Sequence, residues 1–122
     1  MKRRIILIVL FAAVAVPFIQ FVVAPKIELK RRTHCRANLY QIYGATVSLA
    51  FEHRYYRGDQ ITETELRLHF FSRGLPSCPS GGKYVLGPIG GHPLCTLHGD
   101  LLAAEGGIDE RKARAIPERP KN

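Results

Sequence analysis

The sequence places no Asp, Glu, Lys or Arg between Ile5 and Ala24, and it contains no C-x2-C pair and no G-x-S-x-G segment. Each absence closes off a class of function. Without a nucleophile elbow, Ser72, Ser77 and Ser80 have no hydrolase setting. Ser80-Gly81-Gly82-Lys83 lacks the earlier Gly and the Lys-Ser/Thr ending of a phosphate loop, and reads as a turn feeding a strand. The paired cysteines of common zinc knuckles are missing. A chain of 122 residues also leaves little room for a domain with a deep catalytic cleft. The expectation is a protein with no enzymatic activity and no cofactor.

The formal charge of +8 invites a nucleic-acid reading until it is located. Residues 1 to 36 hold eight Lys/Arg against Glu28 alone, a net of +7. Residues 37 to 100 hold five charges of each sign, and the remainder adds +1. A nucleic-acid domain carries its basic footprint on the folded part. Here the excess flanks an apolar run, as membrane-flanking charge does. The expected partner is a lipid bilayer rather than nucleic acid.

Ile5 through Ala24 contain fourteen Ile, Leu, Val or Phe, four Ala, Pro17 and Gln20. Twenty residues at about 1.5 Å each give roughly 30 Å, the hydrocarbon thickness of a bilayer. Pro17 removes one backbone hydrogen bond and bends the helix, a defect that membrane spans tolerate. The run exceeds a signal-peptide core of about 7–15 residues. Its best cleavage candidate, Val22-Val23-Ala24, is followed by Pro25. A retained anchor over residues 1–25 is therefore expected, with a cleaved leader as its rival. Three basic residues precede the span and five follow closely, which by count slightly favours a cytoplasmic carboxyl side.

Residues 26–102 read as one small α+β unit. Cys35, Leu39, Ile42, Ala45 with Thr46, Leu49 and Tyr56 recur at helical spacing and mark one inward face. Gly44 interrupts that helix, a point where close packing would be expected, and Gly58 is placed at its left-handed end. Thr62-Glu63-Thr64-Glu65 is a capping box opening a short helix to about Phe71, with Leu66, Phe70 and Leu68 turned inward. Lys83–Leu86 and Leu94–Leu97 flank a Gly/Pro-rich turn and predict an antiparallel β-hairpin. Residues 103–122 read as a disordered charged tail.

The three cysteines allow two chemistries. Cys78 and Cys95 bracket the hairpin with sixteen residues between them. A disulfide across such a loop adds roughly 3 kcal/mol in the chain-entropy model, and it requires an oxidising compartment. Cys35 is then left as a buried free thiol or an intermolecular one. The competing set is Cys78, His92, Cys95 and His98, spaced C-x13-H-x2-C-x2-H, which is sufficient for tetrahedral zinc and calls for a head facing the cytoplasm. The disulfide is the preferred expectation.

Cys35-Arg36-Ala37-Asn38-Leu39-Tyr40-Gln41-Ile42, followed by Ala45 and the capped short helix, resembles the stalk of type IV pilin-like proteins, the pseudopilins of type II secretion. Gly74-Leu75-Pro76-Ser77-Cys78-Pro79-Ser80-Gly81-Gly82-Lys83-Tyr84-Val85-Leu86-Gly87, with Pro93-Leu94-Cys95, is similar to the small β head of their short members. The resemblance covers about residues 1–100. It implies a long amino-terminal helix, half in the inner membrane and half packed on a short sheet. It also implies a periplasmic head, and other pilin-like subunits as partners through that helix. Arg4 precedes the apolar run where the family has the Gly cut by prepilin peptidase, and the family's Glu within the span is missing. The implied function is a membrane-anchored structural or interaction protein. Its rivals are a secreted disulfide-stapled module and a cytoplasm-facing zinc module.

Overall fold

The computed structural model describes residues 2–100, 102 and 114–120. The rest of the expected tail, 103–113 and 121–122, lies outside the described residues. The fold is α+β, as the sequence predicts. The chain divides into two compact units, Met1–Arg31 and Arg32–Asn122.

The described residues of the amino-terminal unit are all helical. Helix α1 spans Lys2–Phe18, a five-residue π-helical turn follows over Ile19–Val23, and helix α2 begins at Ala24. Pro17 lies inside α1. It lacks an amide proton and crowds the carbonyl four residues back, so a local departure from α geometry is expected nearby. The π turn lies beyond it, on the carboxyl side of Pro17. The Ala24 amide donates to the Ile19 carbonyl, five residues back. From Ile8 to His53 the helix is long and apolar enough at its start to cross a membrane. Its early side chains face outward, with Phe11 79% and Phe21 83% exposed.

Helix α2, Ala24–His53, buries Cys35, Leu39, Ile42, Ala45, Thr46 and Leu49, the face expected from their spacing. Tyr43, Val47 and Ala50 are buried too, so the apolar stripe is wider than the three- and four-residue steps suggest. Gly44 is exposed, and a Cβ there would meet nothing within 4 Å. The close packing expected at Gly44 is absent because its Cα faces away from the head. The helix also stops earlier than expected. His53 is its last residue and Arg54 adopts φ 55°, while the Tyr55 amide donates to the Ala50 carbonyl at 3.0 Å. That 6→1 bond with a left-handed residue is a Schellman-type ending. Arg54 closes it, and Gly58, left-handed as expected at φ 89°, lies in the loop beyond. Tyr56 therefore lies in the following loop.

Helix α3, Glu63–His69, opens with the complete capping box. The Glu65 amide donates to Thr62 Oγ1 at 3.2 Å, and the Thr62 amide donates back to Glu65 Oε2 at 2.7 Å. Leu66 is fully buried as expected, but Leu68 and Phe70 are exposed. The helix ends before Phe70, and the changed backbone direction turns Phe71 toward the core instead. Strands β1, Tyr84–Val85, and β2, Leu94–Cys95, pair antiparallel with Tyr84 opposite Cys95 and Val85 opposite Leu94. The expected hairpin is present with shorter strands.

The described part of the tail is ordered against the head. Ile116 is 3% exposed, and the Arg57 amide donates to the Pro117 carbonyl at 2.9 Å. Residues 114–120 thus depart from the expectation of disorder. One buried isoleucine and a backbone bond hold a segment that otherwise has three charged residues among Ala and Pro.

Candidate metal centre

Four side chains from four stretches of sequence meet at one point. Cys35 comes from α2, Cys78 from the turn after Pro76, Cys95 from β2, and His98 from the turn beyond it. One donor atom from each lies within 4.8 Å of all the others. Cys78 Sγ is 3.5 Å from His98 Nδ1, and Cys95 Sγ is 3.7 Å from the same nitrogen. Cys35, Cys78 and Cys95 are buried free thiols at 0%, 5% and 1% exposure. The Cys78–Cys95 disulfide expected from the sequence is not formed in this structure. The two sulfurs instead share their surroundings with a third thiol and an imidazole.

Local chain geometry explains how the thiols reach this point. Cys78 begins a tight turn in which the Gly81 amide donates to the Cys78 carbonyl at 2.9 Å. Cys95 begins another, with the Gly99 amide on the Cys95 carbonyl at 2.7 Å and the Cys95 amide on the Gly99 carbonyl at 3.0 Å. Within that second turn the His98 and Leu97 amides donate to the Cys95 sulfur. The backbone passes so close on the other side that a Cβ at Gly82 would sit 2.7 Å from Cys95 Sγ. One turn of α2 beyond Cys35, Asn38 donates from Nδ2 to the Ser77 carbonyl at 2.9 Å and to the Tyr84 hydroxyl at 3.2 Å. Asn38 thereby fixes both the residue before Cys78 and the strand opposite Cys95.

The electrostatics of the three thiols differ. Burial pushes Cys35 up to about 12; the Tyr84 hydrogen bond opposes this rise, and the Cys78 and Cys95 side chains add to it. Burial also raises Cys95, but the His98 and Leu97 amides, with the Cys35 and His98 side chains, outweigh it and bring that thiol down to about 7. Tyr84 is raised, chiefly by burial. A full set of thiolates in this volume would repel one another unless a cation joined them. Chemically the set can ligate one soft or borderline metal ion, or lose two thiols to a disulfide.

The sequence-derived zinc set is thus partly assembled. Cys78, Cys95 and His98 are brought together. His92 is not: its Nδ1 is 3.4 Å from Asp100 Oδ2, and its ring meets Tyr43 edge-on at 5.3 Å. Cys35, expected as a buried free thiol or an intermolecular one, takes the fourth place. Two signals could have found it. Cys95-Thr96-Leu97-His98-Gly99 is a knuckle in C-x2-H form, and Cys35 lies on the helix face that the head covers.

A second donor trio, Glu52, His53 and His69, lies on the exposed surface, with the two imidazole centroids 4.7 Å apart. No family model matches this chain, and comparisons with curated proteins and with solved structures gave no match either.

Proposed function

We propose that this protein is a single-pass, non-enzymatic component of the cell envelope, a pilin-like structural or interaction module tethered in the cytoplasmic membrane. One observation carries the reading. The same run of helix that leaves Phe11 and Phe21 about four-fifths exposed goes on to bury Cys35 through Ala50 inside a small α+β head. Exposed phenylalanines at that density are unfavourable in water and favourable in hydrocarbon. The division into an apolar anchor and an amphipathic stalk supports a pilin-like architecture, as do the resemblances of residues 35–42 and 74–95. Two acids of the head have structural work: Glu65 completes a cap, and Asp59 holds the Tyr56 amide and Arg119. The resemblance orients the head to the extracytoplasmic side.

The test is extraction and topology of the full chain. Alkaline carbonate should leave it in the membrane pellet, and a reporter fused after Asn122 should be active only outside the cytoplasm. Release into the supernatant, with a mature amino terminus near Pro25, would replace the anchor by a cleaved leader. Reporter activity in the cytoplasm would reverse the orientation.

A further inference from the structure

We propose that Cys35, Cys78, Cys95 and His98 form a structural zinc site that locks helix α2 to the two turns of the head. Nothing in the membrane reading requires this site, and it holds or fails independently of that reading.

Dimensions are the first argument. Zinc binds thiolate at about 2.3 Å and imidazole at about 2.0–2.1 Å, so a tetrahedron places sulfur about 3.6 Å from nitrogen and sulfurs about 3.8 Å apart. The observed Cys78–His98 and Cys95–His98 separations, 3.5 and 3.7 Å, bracket the first value. The remaining donor pairs fall within 4.8 Å, a span one ion can close by small rotamer adjustments. A disulfide needs only two sulfurs and has no use for the third thiol or the imidazole.

Burial is the second argument. All three thiols are enclosed, which suits a four-protein-ligand structural site and leaves no open position of the kind catalytic zinc keeps. Donor softness points the same way: three thiolates and one imidazole select zinc over magnesium or calcium.

The surroundings supply the third. Amides directed at the Cys95 sulfur, the Asn38 clamp on Ser77 and Tyr84, and the gap left by Gly82 are outer-shell features that orient ligands. On binding, each thiol gives up its proton to solvent and the imidazole stays neutral. The centre then carries one net negative charge, and no redox change occurs. Zn²⁺ is itself redox-inert, and while bound it engages every thiol, so coordination competes with disulfide formation on either side of a membrane. A zinc-bound head is then compatible with either side of the membrane.

The test uses the full-length chain in detergent, purified without added metal or chelator. One zinc per chain is expected, and exchange with Co²⁺ should give thiolate-to-metal charge-transfer bands together with the d–d bands of a tetrahedral ion. Cys35→Ser should weaken Co²⁺ binding at least about 100-fold, beyond the 10–100-fold typical of losing an outer-shell group. His92→Ala and His69→Ala should bind as the parent does. If Cys35→Ser fails to fold, His98→Cys keeps the proposal testable: a four-thiolate set should retain zinc and intensify the charge-transfer band. The proposal is overturned by lack of both stoichiometric zinc and Co²⁺ binding, or by unchanged affinity in Cys35→Ser. Loss of the metal in His69→Ala would assign it to the surface trio instead. A Cys78–Cys95 disulfide in chain whose thiols were trapped at lysis would overturn it equally.

Discussion

Arg119 places its guanidinium 2.6 Å from Asp59 Oδ1, sixty residues away along the chain, and lies 5.7 Å from the centre of the Tyr56 ring. Asp59 also accepts from the Tyr56 amide at 2.9 Å. That amide first, and Arg119 second, hold the Asp59 carboxyl below its usual range. These contacts close the charged tail over the loop after α2, with Ile116 as the apolar anchor beneath. The exposed ion pair is a weak contributor and the buried isoleucine a strong one. Ile116→Ala should cost about 2 kcal/mol in thermal unfolding of the solubilised chain. Arg119→Ala should shift the midpoint far less.

Arg54 pays the steric cost of a left-handed conformation at the end of α2. A non-glycine residue there is strained by about 1–2 kcal/mol, and glycine returns about 0.5–1 kcal/mol of that as lost chain entropy. Arg54→Gly should therefore stabilise the head by up to about 1 kcal/mol. For a domain of this size that is a rise of at most about 4–8 °C in Tm by calorimetry.

Two glycines should respond oppositely to the same substitution. Gly44→Ala adds a methyl group to open solvent on a helix, and should stabilise by up to about 1 kcal/mol. Gly82→Ala forces a methyl group to within 2.7 Å of Cys95 Sγ and 3.2 Å of Leu97. It should displace the Cys95 turn, lower Tm and weaken Co²⁺ binding, read in the same titration as the cysteine variants.

Glu65 links stability to acid. The Tyr55 hydroxyl donates to Glu65 Oε1 at 2.6 Å, and this bond, followed by those from Thr62, holds the carboxyl at about 2. Its ordinary value is 4.5. The folded form thus binds the proton more weakly than the unfolded one. The stabilisation is fully present above about 4.5 and disappears as pH falls toward 2. Urea unfolding of Glu65→Gln should show a flatter pH dependence across that window. In Tyr55→Phe, NMR titration should find the Glu65 carboxyl moved back toward 4.5.

Much of this fold is legible in the residues. The apolar run is visible from composition alone, and the capping box from four letters, because both depend on local chemistry. The buried face of α2 follows from spacing. Helix endings are not legible in the same way. Gly58 is left-handed as its type suggests, at φ 89°, but the helix has already closed at Arg54, a residue whose type gives no such signal. Phe70 and Phe71 exchange places for the same reason, since a one-residue shift in helix end reverses which ring meets the core. The metal site is half legible. Cys78, Cys95 and His98 are close in sequence and their turns announce them. Cys35 stands 43 positions before Cys78, and only the docking of α2 against the hairpin brings it in. His92 was drawn into the set by proximity in sequence, but the wide hairpin loop directs it to Asp100.

For the membrane anchor proposed above, the π turn at Ile19–Val23 would limit how a neighbouring helix could pair with it. One extra residue per turn advances the angular phase of every later side chain by about 100°. A companion helix following a single stripe through Val9 and Val16 would find a different stripe facing it from Ala24 onward. If the proposed anchor pairs with another helix, one continuous stripe along the whole span is disfavoured, and the stretch before Pro17 is where such pairing would keep a single face.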